Sequence, residues 1–154
     1  MKHPERIELA PGYSISRIIT GLWQVADIEK EDGSMDLGPA ASALVDYAES
    51  GFDTFDMADH YGSAELIAGH ARRKMQENDS ANRPSSQARF HTKWCPKPGE
   101  MTPQKVREGV LLSAERLDME QIDLMQFHWW NYEHPQYLDA MEGLQALKKE
   151  GIIQ

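Results

Sequence analysis

Strand-like and helix-like segments alternate four times along the 154-residue chain, and this alternation restricts the fold more than any other feature. Strands that are separated by helices run parallel and are joined by right-handed crossovers. About thirty residues per strand–helix unit is the repeat of a (β/α)8 barrel, which takes ~250 residues when complete. The sequence therefore predicts an α/β fold, a partial TIM barrel of about four βα units, with a β-hairpin in front of it.

The bounds of the predicted elements follow from apolar periodicity and from capping residues. The hairpin covers 6–9 and 13–15, around the turn Ala10-Pro11-Gly12. The predicted strands are 18–23, 54–56, 89–93 and 122–128, and the predicted helices are 39–50, 63–75, 103–117 and 135–150. Residues 27–36 and 76–88 are polar and predict surface loops. Residues 152–154 resemble the opening of a fifth strand, so the prediction is one domain over 1–154 that stops before that strand.

Composition and charge exclude several classes of protein. A net charge of −9 argues against a nucleic-acid partner, because such partners are met by a basic surface. Apolar runs fall short of the ~20 residues of a membrane span. Cys95 is the single cysteine, which favours a reducing compartment and hence a cytoplasmic location. The chain has no Gly-x-Gly-x-x-Gly run for a doubly wound dinucleotide domain, and no spacing typical of a metal site.

Four side chains with acid–base chemistry follow three consecutive predicted strands. Asp56, Lys93 and His128 end the second, third and fourth strands, and Tyr61 lies in the loop after the second. The carboxyl ends of barrel strands meet at one face, where barrel enzymes hold their active sites. We therefore expect the four side chains to gather at one rim.

The run Phe55–Glu65 resembles the signature of the aldo-keto reductases, and the resemblance extends over nearly the whole chain. Reductases of that family use an Asp, a Tyr, a Lys and a His, which match Asp56, Tyr61, Lys93 and His128. The resemblance implies that the protein reduces an aldehyde or ketone to an alcohol with NADPH. It also implies a small-molecule carbonyl substrate as partner.

The chemistry of carbonyl reduction gives each of the four a role. Hydride addition leaves an alkoxide, so a proton donor must lie near that oxygen, and we assign this role to Tyr61. A phenol has a reference pKa of ~10, and the ammonium of Lys93 should lower it. Asp56 would pair with Lys93, and His128 would orient the carbonyl oxygen. Each of the four also has a structural alternative when it is considered alone. Asp56 could be a turn residue and Tyr61 could cover the end of the barrel. Lys93 could be a solvated lysine and His128 a core histidine.

Further site residues are implied by the same resemblance. Gly21, Leu22 and Trp23, together with Asp56, match the side of the family's site that contacts the nicotinamide. Trp23 matches a position where the family lines its substrate pocket with an aromatic residue. Trp129 and Trp130 are further candidates for a pocket wall, with core packing an equal alternative for either one. Two histidines next to motif residues, His60 and His91, are predicted to take no part, and Cys95 is predicted to be an inert thiol.

The family's last four strands, which hold most of the cofactor, have no counterpart in this sequence. We therefore expect weak NADPH binding, and a non-catalytic binding or regulatory role is the alternative function. Three explanations agree with the absence of these strands: a fragment of a longer reductase, a short protein that dimerises, and a gene that lost its second half. The inner face of the sheet should carry 18, 54, 90, 124 and 126 or their neighbours, and burying it predicts a homodimer through exposed sheet edges.

Overall fold

The computed structural model describes residues 3–26, 36–77 and 88–154, and it confirms the predicted architecture. An antiparallel hairpin precedes a parallel sheet of four strands in the order β3-β4-β5-β6. The strands are β1 Arg6–Ala10, β2 Tyr13–Ser16, β3 Thr20–Gly21, β4 Thr54–Asp56, β5 Arg89–Trp94 and β6 Leu124–Phe127. The helices are α1 Leu37–Glu49, α2 Ala64–Glu77, α3 Pro103–Leu117 and α4 Tyr137–Lys149.

Most predicted bounds agree with the structure within two residues, and those of β4 and α3 agree fully. The Thr102 side chain caps α3 by accepting from the amide of Lys105, and Pro103 follows it. The first core strand is shorter than predicted, because Ile18 and Ile19 precede β3 and remain exposed. The predicted loops 27–36 and 76–88 lie almost wholly outside the described residues.

The predicted opening of a fifth strand is present as a single contact. Ile153 forms a parallel bridge with Ile122, two residues before β6. The amide of Gln154 donates to the carbonyl of Ile122 at 2.9 Å, so the chain runs alongside the outer edge of the sheet. The strand order thus continues in the direction that a barrel requires.

Helices cover the outer face of the sheet in two apolar clusters. In the first cluster, Phe55 and Phe90 pack against α1 and α2, and their stacked ring centroids lie 5.4 Å apart. In the second cluster, Trp94 packs with residues of α3 and α4. Close helix contacts depend on glycine. A Cβ on Gly69 would lie 2.2 Å from the carbonyl oxygen of Arg116, so α2 and α3 can approach only without a side chain there.

The inner face of the sheet is more polar than predicted. Thr54, Leu124 and Gln126 lie on it as expected, but Phe90 belongs to the helix-covered core and Ile18 lies outside the strands. Side chains alternate between faces along a strand, so His91, next to Phe90, points inward instead. The inner face therefore presents less apolar surface for a partner, and the homodimer stays a prediction.

His91 is the buried partner of the hairpin. Its Nε2 lies 2.9 Å from the hydroxyl of Tyr13 on β2, and both residues are less than a tenth exposed. Burial raises the pKa of Tyr13 and lowers the pKa of His91. For His91, the carboxylates of Asp123 and Asp56 oppose that shift, and the cations of Arg89 and Lys93 add to it. The hairpin thus contacts the inner face through a neutral histidine. His91 has this role in the fold, and its predicted absence from the chemistry stays a prediction.

This pair predicts a specific pH dependence of stability. Below the ordinary histidine pKa of ~6.5, the unfolded chain binds a proton on His91 while the folded chain does not. The free energy of unfolding should therefore fall as the pH drops below ~6.5, and that part of the decrease should be absent from His91→Gln. Urea titrations between pH 5 and 8 measure the difference, with the exposed His134→Gln as control. Parallel profiles for wild type and His91→Gln would contradict this assignment.

Candidate active site

Asp56 and Lys93 form a shielded ion pair at the carboxyl ends of β4 and β5. The Lys93 ammonium contacts Asp56 Oδ2 and also donates to the Met57 carbonyl at 2.9 Å. Gln126 Nε2 donates to the other carboxylate oxygen of Asp56 at 3.0 Å. The side chains of Lys93 and Asp56 are 10% and 32% exposed. The strand ends therefore hold a cation and an anion in fixed positions, with both carboxylate oxygens engaged.

Gln126 is a member of this cluster that the site prediction omitted. It was expected on the inner face, and its position two residues before His128 was the available signal, because residues i and i+2 share a face. Its amide neutralises no charge, but it fixes the rotamer of Asp56.

Tyr61 lies beside Lys93 in an unexpected orientation. The ammonium is 5.2 Å from the centroid of the Tyr61 ring, and among the described residues no hydrogen bond joins it to the phenol oxygen. The pKa of Tyr61 is raised, first by burial, then by the Asp56 carboxylate and then by Cys95. The expected lowering of this pKa by Lys93 is therefore not found. The ammonium faces the ring and is already paired with Asp56, which leaves a neutral phenol beside the ion pair.

His128 ends β6 beside the other two strand ends. Its backbone amide donates to the Trp94 carbonyl at 2.9 Å, and its ring meets the Trp130 ring edge-on at 5.4 Å. Its Nδ1 is buried and has no hydrogen-bond partner in the described part of the chain. Buried polar atoms without a partner are uncommon in folded proteins. No hydrogen bond or ring contact joins His128 to Tyr61 among the described residues, so their facing each other across a pocket stays a prediction.

Strand β3 and the residues after it contribute open space and an aromatic ring to the same rim. Gly21 pairs in register with Asp56, and a Cβ added to it would meet nothing within 4 Å. Trp23 is 44% exposed and meets the Tyr61 ring edge-on at 4.6 Å. Leu22 is fully buried in the helix-covered core, and its amide donates to the Asp56 carbonyl at 2.9 Å. A cofactor could therefore contact Gly21 and Trp23, but not the side chain of Leu22.

The two tryptophans after β6 occupy different environments. Trp129 is 6% exposed and packs against Phe127 and Tyr137, with its Nε1 donating to the Asn131 carbonyl at 2.7 Å. This arrangement matches the packing alternative for Trp129. Trp130 is 73% exposed, and its Nε1 donates to Cys95 Sγ at 2.8 Å. Trp130 is thus the ring that remains available at the rim.

A buried polar network below the rim was missed at the sequence level. Glu65 is 1% exposed, although its place in the first turn of α2 predicted only a favourable dipole interaction. Its carboxylate accepts from the Thr92 hydroxyl at 2.6 Å and from Arg116 at 3.3 Å. No local pattern in the sequence pairs Glu65 with a residue 51 positions away.

The described residues were also compared with three other kinds of functional feature: a cavity, a metal site and a membrane-spanning helix. A cavity of about 860 Å³ lies near the amino end of β5, lined by residues that include Arg72, Arg89, Asp118 and Asp123, and by none of the four candidates. Within the described ranges, no group of three or more His, Cys, Asp or Glu side chains could hold a metal ion. No described helix is long and apolar enough to cross a membrane.

Comparison with known proteins decides the family. The model of the aldo/keto reductase family matches residues 17–154, which is most of the chain. The chain belongs to the aldo-keto reductase family. Two curated relatives, the methylglyoxal reductases DkgA of Escherichia coli O157:H7 and of strain K12, are each 28% identical to it over 153 residues. The matches cover 99% of this chain and 48% of each relative, so the chain spans about half the length of these aldo-keto reductases.

Solved structures of aldo-keto reductases share the fold at lower identity. An aldo-keto reductase of Bombyx mori in complex with NADP superposes with a TM-score of 0.73 at 19% identity, covering 99% of this chain and 49% of that one. The holo form of an aldo-keto reductase from Bacillus halodurans superposes with a TM-score of 0.72 at 21% identity, covering 98% of this chain and 48% of that one. These likenesses show that the four units adopt the fold of half an aldo-keto reductase barrel.

Proposed function

We propose that the chain carries the proton-transfer part of a carbonyl-reducing site that works with NADPH. The observation that carries this proposal is the shielded Lys93–Asp56 pair, which lies at the rim beside a neutral Tyr61. The class of substrate is a small aldehyde or ketone. Methylglyoxal is the natural first choice, since it is named in the curated relatives. A cytoplasmic location remains part of this proposal, on the basis of the single cysteine.

In this reaction Tyr61 donates the proton that the reduced oxygen needs. A phenol is protonated at neutral pH with or without this rise in pKa, so the donor is in the required state before the substrate binds. The Lys93 ammonium is held in place by Asp56 and by the Met57 carbonyl, and it offsets the negative charge that develops on the substrate oxygen and then on the phenol. His128 binds the carbonyl oxygen through a ring nitrogen and orients it.

The residues at the rim fit the nicotinamide end of the cofactor. The open space at Gly21 and the exposed face of Trp23 border Tyr61 and Asp56, where a flat ring can approach the proton donor. NADPH supplies the hydride when bound. Gly21 and Trp23 hold the ring beside Tyr61. We expect weak affinity, because this chain spans about half the length of the curated relatives that it matches.

A second candidate function is non-catalytic binding by a member of the fold. It is favoured by the pKa of Tyr61, which is raised rather than lowered, and by the ammonium facing the ring instead of the hydroxyl. In that case the rim binds a small polar ligand without turning it over.

Product analysis distinguishes the two functions. The chain is incubated with methylglyoxal and millimolar NADPH that carries deuterium at both C4 positions, and the alcohol product is analysed by mass spectrometry. We expect one deuterium on the newly formed carbinol carbon, and none without the protein. If no deuterated alcohol forms at a protein concentration close to that of the cofactor, the reductase proposal is wrong and the binding function is favoured.

A further inference from the structure

Tyr61 lies on a segment that has no secondary structure to fix it. Residues 57–63 connect the end of β4 to the start of α2. The segment stays beside β5 because the amides of Met57 and Asp59 donate to the carbonyls of His91 and Lys93, each at 2.9 Å. The path of the chain from Asp59 to Tyr61 therefore decides where the phenol lies relative to Lys93.

Asp59 makes more contacts with the neighbouring strand than its backbone alone requires. Its Oδ2 accepts from the amide of Cys95 at 3.0 Å, and its own amide donates to the carbonyl of Lys93. The two bonds flank Trp94, the residue directly after Lys93 on β5. Its Oδ1 lies 2.9 Å from Nδ1 of His60, whose ring meets the Tyr61 ring at 4.8 Å. One side chain thus connects the lysine strand with a ring that supports Tyr61.

Arg116 holds the same segment from the helix layer. Its Nη1 donates to the Asp59 carbonyl at 3.1 Å and to Glu65 at 3.3 Å. Glu65 is in turn bonded to Thr92 on β5. Asp59 thus bonds to Lys93, Cys95 and Arg116 from the middle of the segment. The turn bond from the Tyr61 amide to the Ala58 carbonyl at 3.1 Å also holds the segment and does not involve Asp59.

We propose that Asp59 is a positioning residue that places Tyr61 beside Lys93. The effect of Asp59 on catalysis rests on the proposed function, but its effect on the position of Tyr61 can be measured without substrate or cofactor. Asn at position 59 keeps an oxygen that can accept from the Cys95 amide, whereas Ala removes it. The two variants therefore separate the loss of the bond from the loss of the charge.

The experiment is an NMR titration of the chain labelled with ¹³C at the tyrosine Cζ, with the Tyr61 signal assigned by its loss in Tyr61→Phe. In wild type the pKa of Tyr61 should lie above the ordinary value of ~10, because the segment keeps the ring shielded. In Asp59→Ala it should fall toward that value as the ring becomes exposed, and Asp59→Asn should retain most of the wild-type value. Arg107→Ala, which removes an ion pair with Glu150 between α3 and α4, should leave it unchanged.

The outcomes separate positioning from general stability. An unchanged Tyr61 titration in Asp59→Ala, or an equal change in Arg107→Ala, would overturn the proposal. If Asp59→Ala does not fold, the comparison of Asp59→Asn with wild type decides, and a Tyr61 titration that already falls to the ordinary value would overturn the role of the Cys95 bond. Where the chain turns over methylglyoxal, Asp59→Ala should lower kcat by about tenfold or more with little change in KM. Absence of turnover bears on the proposed function and leaves the titration result valid.

Discussion

Replacing Lys93 with methionine should lower the free energy of unfolding by about 2–3 kcal/mol. The substitution keeps much of the side-chain volume but leaves the Asp56 carboxylate without its cation and the Met57 carbonyl without its donor. Breaking a fully buried pair costs ~3–5 kcal/mol. The expected loss is smaller here because about a third of the Asp56 side chain is exposed. Urea unfolding followed by circular dichroism measures it.

Two companion variants test the cause of this loss. Arg107→Met removes the exposed ion pair with Glu150 and should cost less than ~1 kcal/mol. The double variant Lys93→Met with Asp56→Asn should recover part of the loss, since no uncompensated charge remains. A loss in Lys93→Met no larger than that in Arg107→Met would show that the rim pair is not a stabilising element of the folded chain.

The sequence predicted the fold well because its signals are local. Apolar periodicity, the Thr102 cap with Pro103, and the glycines after helices all act over a few residues, and these elements match the structure closely. Ile18 was misassigned for the opposite reason. An apolar run predicts a strand only where a neighbouring strand pairs with it, and β3 pairs over two residues alone.

The candidate site was predicted in outline and less well in its electrostatics. Position at the strand ends was enough to bring Asp56 and Lys93 together. The orientation of the ammonium toward the Tyr61 ring depends on the Asp56 and Gln126 rotamers, which are long-range features. Burial is the largest cause of the raised pKa of Tyr61, and the Asp56 carboxylate adds to it. The inward position of His91 was missed because the side of the sheet to which a β5 side chain points depends on the exact register of the strand. A shift of one residue moves every side chain of the strand to the other side.

Tyr61→Phe should have the largest effect on catalysis of any single substitution. Phe keeps the ring and its contact with Trp23 but removes the proton, so the alkoxide must take a proton from water. A positioned general acid contributes ~10²–10⁴-fold, and we expect kcat to fall by at least about 100-fold. Stability should change by less than ~1 kcal/mol, because the described contacts of Tyr61 are made by its ring and backbone. Tyr47→Phe, on the half-exposed surface of α1, is the matched control.

The most direct test of the account is the rate of NADPH oxidation at 340 nm with methylglyoxal, compared among wild type, Tyr61→Phe and Tyr47→Phe at equal protein concentration. The account predicts that oxidation by wild type and Tyr47→Phe is equal, and that Tyr61→Phe is reduced to the rate without protein. Equal rates for wild type and Tyr61→Phe would contradict the assignment of Tyr61 as the proton donor.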